Sequence, residues 1–439
     1  MTVPTAVEAA EAVREGRLTS EQLVRSCLER IAAREATVQA WAYLDPEHAL
    51  AQARAADRAR REGRSLGPLH GVPVGVKDVF DTADMPTEDG TVLHAGRQPV
   101  EDAFAVALMR QAGAVILGKT VCTELGLVAP GKTRNPHDPG RTPGGSSSGS
   151  AAAVADGMVP LAVGSQNNGS VIRPASYCGV YGFKPTAGRL SRTGVLTQSP
   201  SLDQLGVFAA TLPDAARLAE ALMAFDPRDP AMRPAARPAL SAALAEGFPR
   251  RPRIAVVQSP VWEQASPTCQ QALRDLAKAL GDAAAAAELP ADFAQAHAVH
   301  KTIMEPELAQ HYAGEYARGK ERLSPTLREI IERGQQSRTV DYNRARAQAA
   351  ALTRSLDAFF ADWDAILTPA TMDAAPEGLA STGSPVFCTI WTLCGTPAIS
   401  LPILRGAAGL PLGAQLVAAR GCDARLLQVA QWILRAVGR

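Results

Sequence analysis

Three stretches carry the residues able to do chemistry in this chain. "VPVGVKD" ends an apolar run with Lys77. "TPGGSSSGSAAAVADG", Thr142 to Gly157, sets Ser146, Ser147 and Ser148 among glycines. "GSQNNGSVIRPASYCGVYGFKPT", Gly164 to Thr186, holds Ser170 in a loop of small polar residues. A serine hydroxyl is a poor nucleophile until a neighbouring group takes its proton. The chemistry therefore turns on which base the chain supplies.

The local pattern Gly145-Ser146-Ser147-Ser148-Gly149 fits G-x-S-x-G, a nucleophile elbow with Ser147 at its tip. That scheme needs a histidine late in the chain. The seven histidines are His48, His70, His94, His137, His297, His300 and His311, and none lies in the last quarter. His297, His300 and His311, with Glu305 or Glu307 nearby, match no zinc spacing, so no metal is expected. A phosphate cradle would need a Lys after the glycines, and none follows. Lysine itself can act as the base once burial has stripped the charged form of its hydration. Ser-Lys pairs are an established alternative to Ser-His. Lys77 is such a lysine, with an ion pair to Asp78 or a distant carboxylate as its competing role. The loop before Ser170 can turn successive backbone N–H groups toward one point, as an oxyanion hole requires.

These residues need a frame. Short Val- and Ile-rich runs read as buried strands: Val72–Val76, "AVILGKT", "MVPLAVGS", "VYGFKPT", "RIAVVQ", "AILTPA", "AISLPI" and "GAQLVAA". Helical stretches separate several of them, among them "DAFAVALMRQAG", "SAAAVADG" and the C-terminal "CDARLLQVAQWILRAVG". Two helices are expected at the N-terminus, the first opened by a Thr19/Gln22 capping box. The alternation predicts an α/β fold with helices on both faces of a sheet. Residues 227–252, punctuated by six prolines, read as a surface excursion within one domain spanning 1–439. The helix-rich 267–361 region reads as a cap, and 362–439 as closing strands and a helix.

Composition narrows the function. Lys+Arg 45 against Asp+Glu 44 gives no basic field for a phosphate backbone, so a small neutral substrate is expected rather than nucleic acid. Seven scattered cysteines without a CxxC pair point to a reducing compartment. The N-terminus lacks the pattern of a signal peptide, and no apolar run reaches membrane-spanning length. A cytoplasmic protein with no membrane partner, monomeric or homodimeric, is the expectation.

Together the three stretches resemble the amidase signature family. "AGAVILGKTVCTELG", "RNPHDPGRTPGG" and the C-terminal "AILTPA…GTPAISLP…GLPLGAQLVA" extend the resemblance from about residue 5 to the end, with the signature core at about 65–210. It implies a large mixed, mostly parallel twisted sheet covered by helices on both faces. It implies Ser170 as nucleophile, Lys77 as general base and Ser146 as the bridge between them, following a cis peptide bond. It implies backbone N–H groups of Asn167, Asn168, Gly169 and Ser170 as the oxyanion hole, with no cofactor. Relatives commonly carry Thr at 167 and Gly or Ala at 168, so two side-chain amides are unusual here. Gly126, Leu127, Val128, Arg173, Phe387 and Trp391 are the expected substrate-binding residues. Arg173 is also readable as a structural ion-pair partner, and Cys178 as a small core residue. The substrate implied is an amide, with carbamates (urethanes) and esters as extensions. A glutaminase subunit of an amidotransferase complex and the Ser147 esterase are the alternatives.

Overall fold

The computed structural model describes residues 4–439. One sheet of eleven strands runs through it: β1 (Trp41–Leu44), β2 (Pro73–Lys77), β3 (Val115–Thr120), β4 (Leu161–Gln166), β5 (Tyr181–Lys184), β6 (Gln204–Ala209), β7 (Ile254–Val257), β8 (Ala284–Ala287), β9 (Ala365–Pro369), β10 (Ala398–Arg405) and β11 (Pro411–Val417). Their order across the sheet is β1-β3-β2-β4-β6-β5-β10-β11-β9-β7-β8. Every expected strand is present, and β1, β6 and β8 are additions.

The expected parallel majority is corrected. Six of the ten neighbouring pairs are antiparallel and four are parallel. Connection length explains part of this. Only residues 406–410 join β10 to β11, too few for the crossover a parallel pair requires. The parallel block β3-β2-β4 sits where the expected catalytic residues lie.

Helices cover the sheet on both faces, and each end has a sequence reason. Thr19 and Gln22 close the expected capping box on helix Ser20–Val38. A further helix, Ala6–Glu15, precedes it with its own box from Thr5 and Glu8. Asp45 caps helix Pro46–Arg61, whose proline occupies the first turn, where no N–H partner is needed. The largest core cluster joins Val74 and Val76 of β2 to Leu161 and Val163 of β4. A second cluster, on the helix Ser148–Ala155 side, takes Ala151, Ala152, Ala153 and Ala162.

The proline-rich segment does not divide the sheet, because β6 and β7 on either side of it belong to one array. Its helix Leu240–Glu246 packs on the C-terminal helix Asp423–Ala436, with Leu240 and Leu244 in the main core. The helix-rich 267–361 region is not uniform. Helix Pro267–Leu280 packs along β8, β9 and β10 as part of the sheet layer. The helices left for the expected cap are Ala296–His311, Ala313–Gly319, Pro325–Gln335 and Thr339–Phe359. Leu308, Tyr312, Leu327 and Ile331 from it enclose Leu125 and Leu127 in a separate cluster.

Candidate active site

Strand register brings the first two stretches together. Parallel pairing sets Val76 beside Val163, so Lys77 leaves the C-terminal end of β2 next to the end of β4. Ligand sites in α/β sheets gather at such carboxyl ends. Lys77 is fully buried. Its Nζ donates to Ser146 Oγ at 2.7 Å and to Ser165 Oγ at 2.9 Å. No carboxylate among the described residues forms a salt bridge with it. Burial pushes Lys77 down to about 8, against the weaker pull of Asp203 and Asp89. At pH 7 about a tenth of such a group is neutral and able to accept a proton.

Ser146 is fixed by the glycine turn before it. The Gly145–Ser146 peptide is cis. Gly144 adopts φ +84°, and a Cβ there would stand 2.8 Å from Pro174 Cα, so glycine is required on both counts. Arg173, wholly buried, donates to Gly145 O and Gly383 O, each at 2.7 Å. Its guanidinium thus ties the turn to the 381–385 loop, and it forms no salt bridge among the described residues. Ser147, the candidate elbow nucleophile, donates to Ser165 O at 3.3 Å and is fully buried.

The third stretch forms a loop with an internal brace that sequence reasoning missed. Gln166, the last residue of β4, accepts at Oε1 from Val171 N at 2.7 Å and Ile172 N at 3.0 Å. The N–H groups between, on Asn167, Asn168, Gly169 and Ser170, have no protein acceptor among the described residues. Free successive N–H groups of this kind suit an anionic oxygen. Ser170 ends this run, only 5 % exposed.

Three outside elements hold the loop. Asn167 O accepts from His300 Nε2 at 2.8 Å, and Asn167 Nδ2 donates to Gln198 Oε1 at 2.5 Å. Asn168 O accepts from Thr392 Oγ1 at 2.5 Å, and Asn168 Oδ1 accepts from Thr389 Oγ1 at 2.8 Å. Burial lowers His300 to about 4, which keeps the ring neutral at working pH. A neutral ring carries one N–H, and the carbonyl acceptor places it on Nε2.

The remaining expected positions separate. Leu127 is buried under the cap cluster, whereas Val128 is exposed. Gly126 lies so close to Gln198 that a Cβ would stand 2.2 Å from its Nε2. Phe387 and Trp391 are buried within core clusters. Cys178 is buried, its thiol pushed up by desolvation and donating to Pro143 O. Among the described residues no group of three or more His, Cys, Asp or Glu could hold a metal. Among the described residues no helix is long and apolar enough to cross a membrane.

Known proteins resemble this chain along nearly its whole length. The chain is 35% identical over 464 residues to a glutamyl-tRNA(Gln) amidotransferase subunit of Chloroflexus aurantiacus, covering 97% of this chain and 95% of that one. Its fold matches a solved structure described as an unexpected vestigial protein complex revealing the evolutionary origins of an s-triazine catabolic enzyme. There the TM-score is 0.92, with 30% identity and 99% of each chain covered. The native peptide amidase of Stenotrophomonas maltophilia matches at TM-score 0.86 and 29% identity, over 98% of this chain and 96% of that one. The family described as Amidase matches residues 22–427. The chain belongs to the amidase family, the amidase-signature hydrolases of amide C–N bonds.

Proposed function

We propose that this chain hydrolyses amides through an acyl-enzyme on Ser170, with Lys77 as general base acting through Ser146. The observation that carries the reading is the state of Lys77: buried, free of carboxylates and 2.7 Å from Ser146. A neutral Lys77 accepts the Ser146 proton as Ser146 takes the proton of Ser170. Ser170 Oγ bonds to the carbonyl carbon, and the electron pair of the C=O moves to oxygen. The N–H groups of Asn167, Asn168, Gly169 and Ser170 hold that oxygen. The C–N bond then breaks, and the relay delivers its proton to the leaving nitrogen. Water repeats the attack on the acyl-enzyme, its proton returns to Ser170 through the same relay, and the carboxylic acid departs. Side chains and backbone supply every step. Carbamates and esters offer the same carbonyl to the same oxygen site, so the reading extends to them.

The test is a fluorophosphonate adduct seen by intact mass, with the modified serine mapped by digestion. A single adduct on Ser170 is expected. An adduct on Ser147 would overturn the assignment.

Near-full-length similarity to an amidotransferase subunit favours a second reading, a glutaminase that works within a complex. The purified chain distinguishes them. Turnover of simple amides, p-nitroanilides or urethanes by the purified chain supports the hydrolase, and glutamine turnover that begins only when partner subunits are added supports the glutaminase.

A further inference from the structure

Asn167 and Asn168 stand beside the nucleophile, where a side-chain amide has two possible uses. It can contact the substrate, or it can serve as a handle. The hydrogen bonds decide between them. Each asparagine is gripped twice, once at its carbonyl oxygen and once at its side chain. For Asn167 the grips are His300 Nε2 and Gln198 Oε1. For Asn168 they are Thr392 Oγ1 and Thr389 Oγ1. Thr389 and Thr392 lie three residues apart on helix Thr389–Leu393, so one helix face takes both ends of Asn168.

None of the four gripping residues belongs to the loop. His300 comes from cap helix Ala296–His311. Gln198 comes from the segment before β6, and its Nε2 is anchored in turn on Leu125 O at 2.6 Å. Gln166 Nε2 donates to Thr392 Oγ1 at 2.9 Å, so the internal brace and the external grip share one hydroxyl. Gln204 Nε2 donates to Thr392 O and Gln204 Oε1 accepts from Lys184 Nζ, which extends the support to β5. The loop's N–H groups stay free while Asn167 O, Asn168 O and one end of each side-chain amide are occupied.

We infer that Asn167 and Asn168 are positioning residues, the handles of a four-point clamp in which His300, Gln198, Thr389 and Thr392 hold the N–H groups next to Ser170 in place. The inference rests on the assignment of that loop to the oxyanion. It ties the geometry of the catalytic loop to the cap helix through His300. It also makes the asparagines neither substrate contacts nor neutral replacements.

A double-mutant cycle tests this in the full chain. A misplacement of about 1 Å in such a site costs about 10²-fold in rate. Thr389→Val is therefore expected to lower kcat about tenfold, with KM changed less than twofold. In an Asn168→Gly background the same substitution is expected to cost less than twofold, because the handle is already gone. Thr392→Ser should keep kcat within about threefold where Thr392→Val loses about tenfold or more. Amide hydrogen exchange of the peptide spanning 167–171 gives a readout independent of turnover, and it should accelerate in each weakened variant.

Two results would overturn the clamp. One is an Asn168→Gly/Thr389→Val pair with additive effects and unchanged loop exchange. The other is an Asn168→Gly variant whose KM shifts substrate by substrate, which would make Asn168 a substrate contact. Failure of the fluorophosphonate to label Ser170 in the unmodified chain would instead remove the catalytic assignment. The exchange measurement would still decide whether the loop is clamped.

Discussion

Two lysines lie on adjacent strands of the sheet, equally buried and differently partnered. Val76 of β2 pairs with Lys119 of β3, and Lys77 pairs with Thr120. Both lysines are 0 % exposed. Lys119 meets Asp78 at 3.1 Å and also donates to Pro86 O and Thr87 Oγ1. Among the described residues Lys77 hydrogen-bonds only to the hydroxyls of Ser146 and Ser165. Burial pushes both downward, but only Lys119 has a carboxylate in contact to hold its charge. Burial alone therefore does not make a catalytic base. What separates the two lysines is contact: a carboxylate meets Lys119, whereas two serine hydroxyls meet Lys77.

Removing each amine should separate the two uses. Lys77→Met should lower kcat at least about 10³-fold, the loss expected when a general base is deleted. The same variant should not lose stability. The lysine binds its proton less tightly folded than unfolded, so between about pH 8 and the ordinary lysine range the unfolded state holds more protons. Stability rises with pH across that window, and below it the cost of the buried charge is fully present. Lys77→Met should therefore be more stable than the parent at pH 7, with the gain fading toward pH 10. Urea melts at the two pH values check this, and a destabilised Lys77→Met at pH 7 would refute it.

Lys119→Met should do the reverse. It leaves Asp78 buried and unpaired, a change that costs about 3–5 kcal/mol. Burial already raises Asp78 to about 6 despite Lys119, so the carboxyl depends on this partner. Activity per folded molecule should stay within about tenfold of the parent. A loss of kcat matching that of Lys77→Met, in a fully folded sample, would erase the contrast.

The pH profile sharpens the comparison further. Only the neutral form of Lys77 accepts a proton, so kcat/KM should rise about tenfold per unit below pH 8 and level off above it. Ser165→Ala removes one of the two hydroxyls that accept from the ammonium. Losing an acceptor of the charged form lowers the midpoint. The acid limb should move to lower pH, while the plateau falls two- to tenfold, the worth of one hydrogen bond. A midpoint that stays put would mean Ser165 does not hold the ammonium.

How much of this the chain announces depends on the kind of signal. Lys77 stands out because a charged residue at the end of an apolar run conflicts with its neighbours, and such conflicts mark function. The strand β8 is hidden for the opposite reason. Its four alanines have poor strand propensity and read as helix. The β6 run "QLGVFA" is broken by Gly206, which sits against Phe183 O and would be crowded by any side chain. The hydrogen bonds that hold the 167–168 stretch leave no mark in the sequence. His300, Thr389 and Thr392 lie 133 to 224 residues from their partners, and threonine or histidine carries no spacing signature for holding a carbonyl. Gln166 was missed although it lies inside the signature stretch, because nothing local shows that its amide folds forward onto Val171 and Ile172. Arg173 was legible as a residue of consequence, but not its use. Its two backbone acceptors lie 28 residues upstream and 210 downstream.

The smallest expected effect belongs to Ser147, the residue that the local G-x-S-x-G pattern favours. Its hydroxyl donates to Ser165 O and faces β4, where a Cβ on Gly164 would meet it at 2.6 Å. No histidine is among its hydrogen-bond partners, and Lys77 is bonded to Ser146 and Ser165 instead. Ser147→Ala removes one hydrogen bond, to Ser165 O, so it should cost about 1 kcal/mol of stability. Its kcat should stay within about threefold, and fluorophosphonate labelling should be unchanged. The neighbouring Ser146→Ala differs only in which hydroxyl is lost, yet it cuts the contact to Lys77 and should lose kcat by about 10²-fold or more. Adjacent serines with unequal losses would show that the lysine, not the glycine pattern, selects the working hydroxyl. Equal losses would return the elbow to consideration.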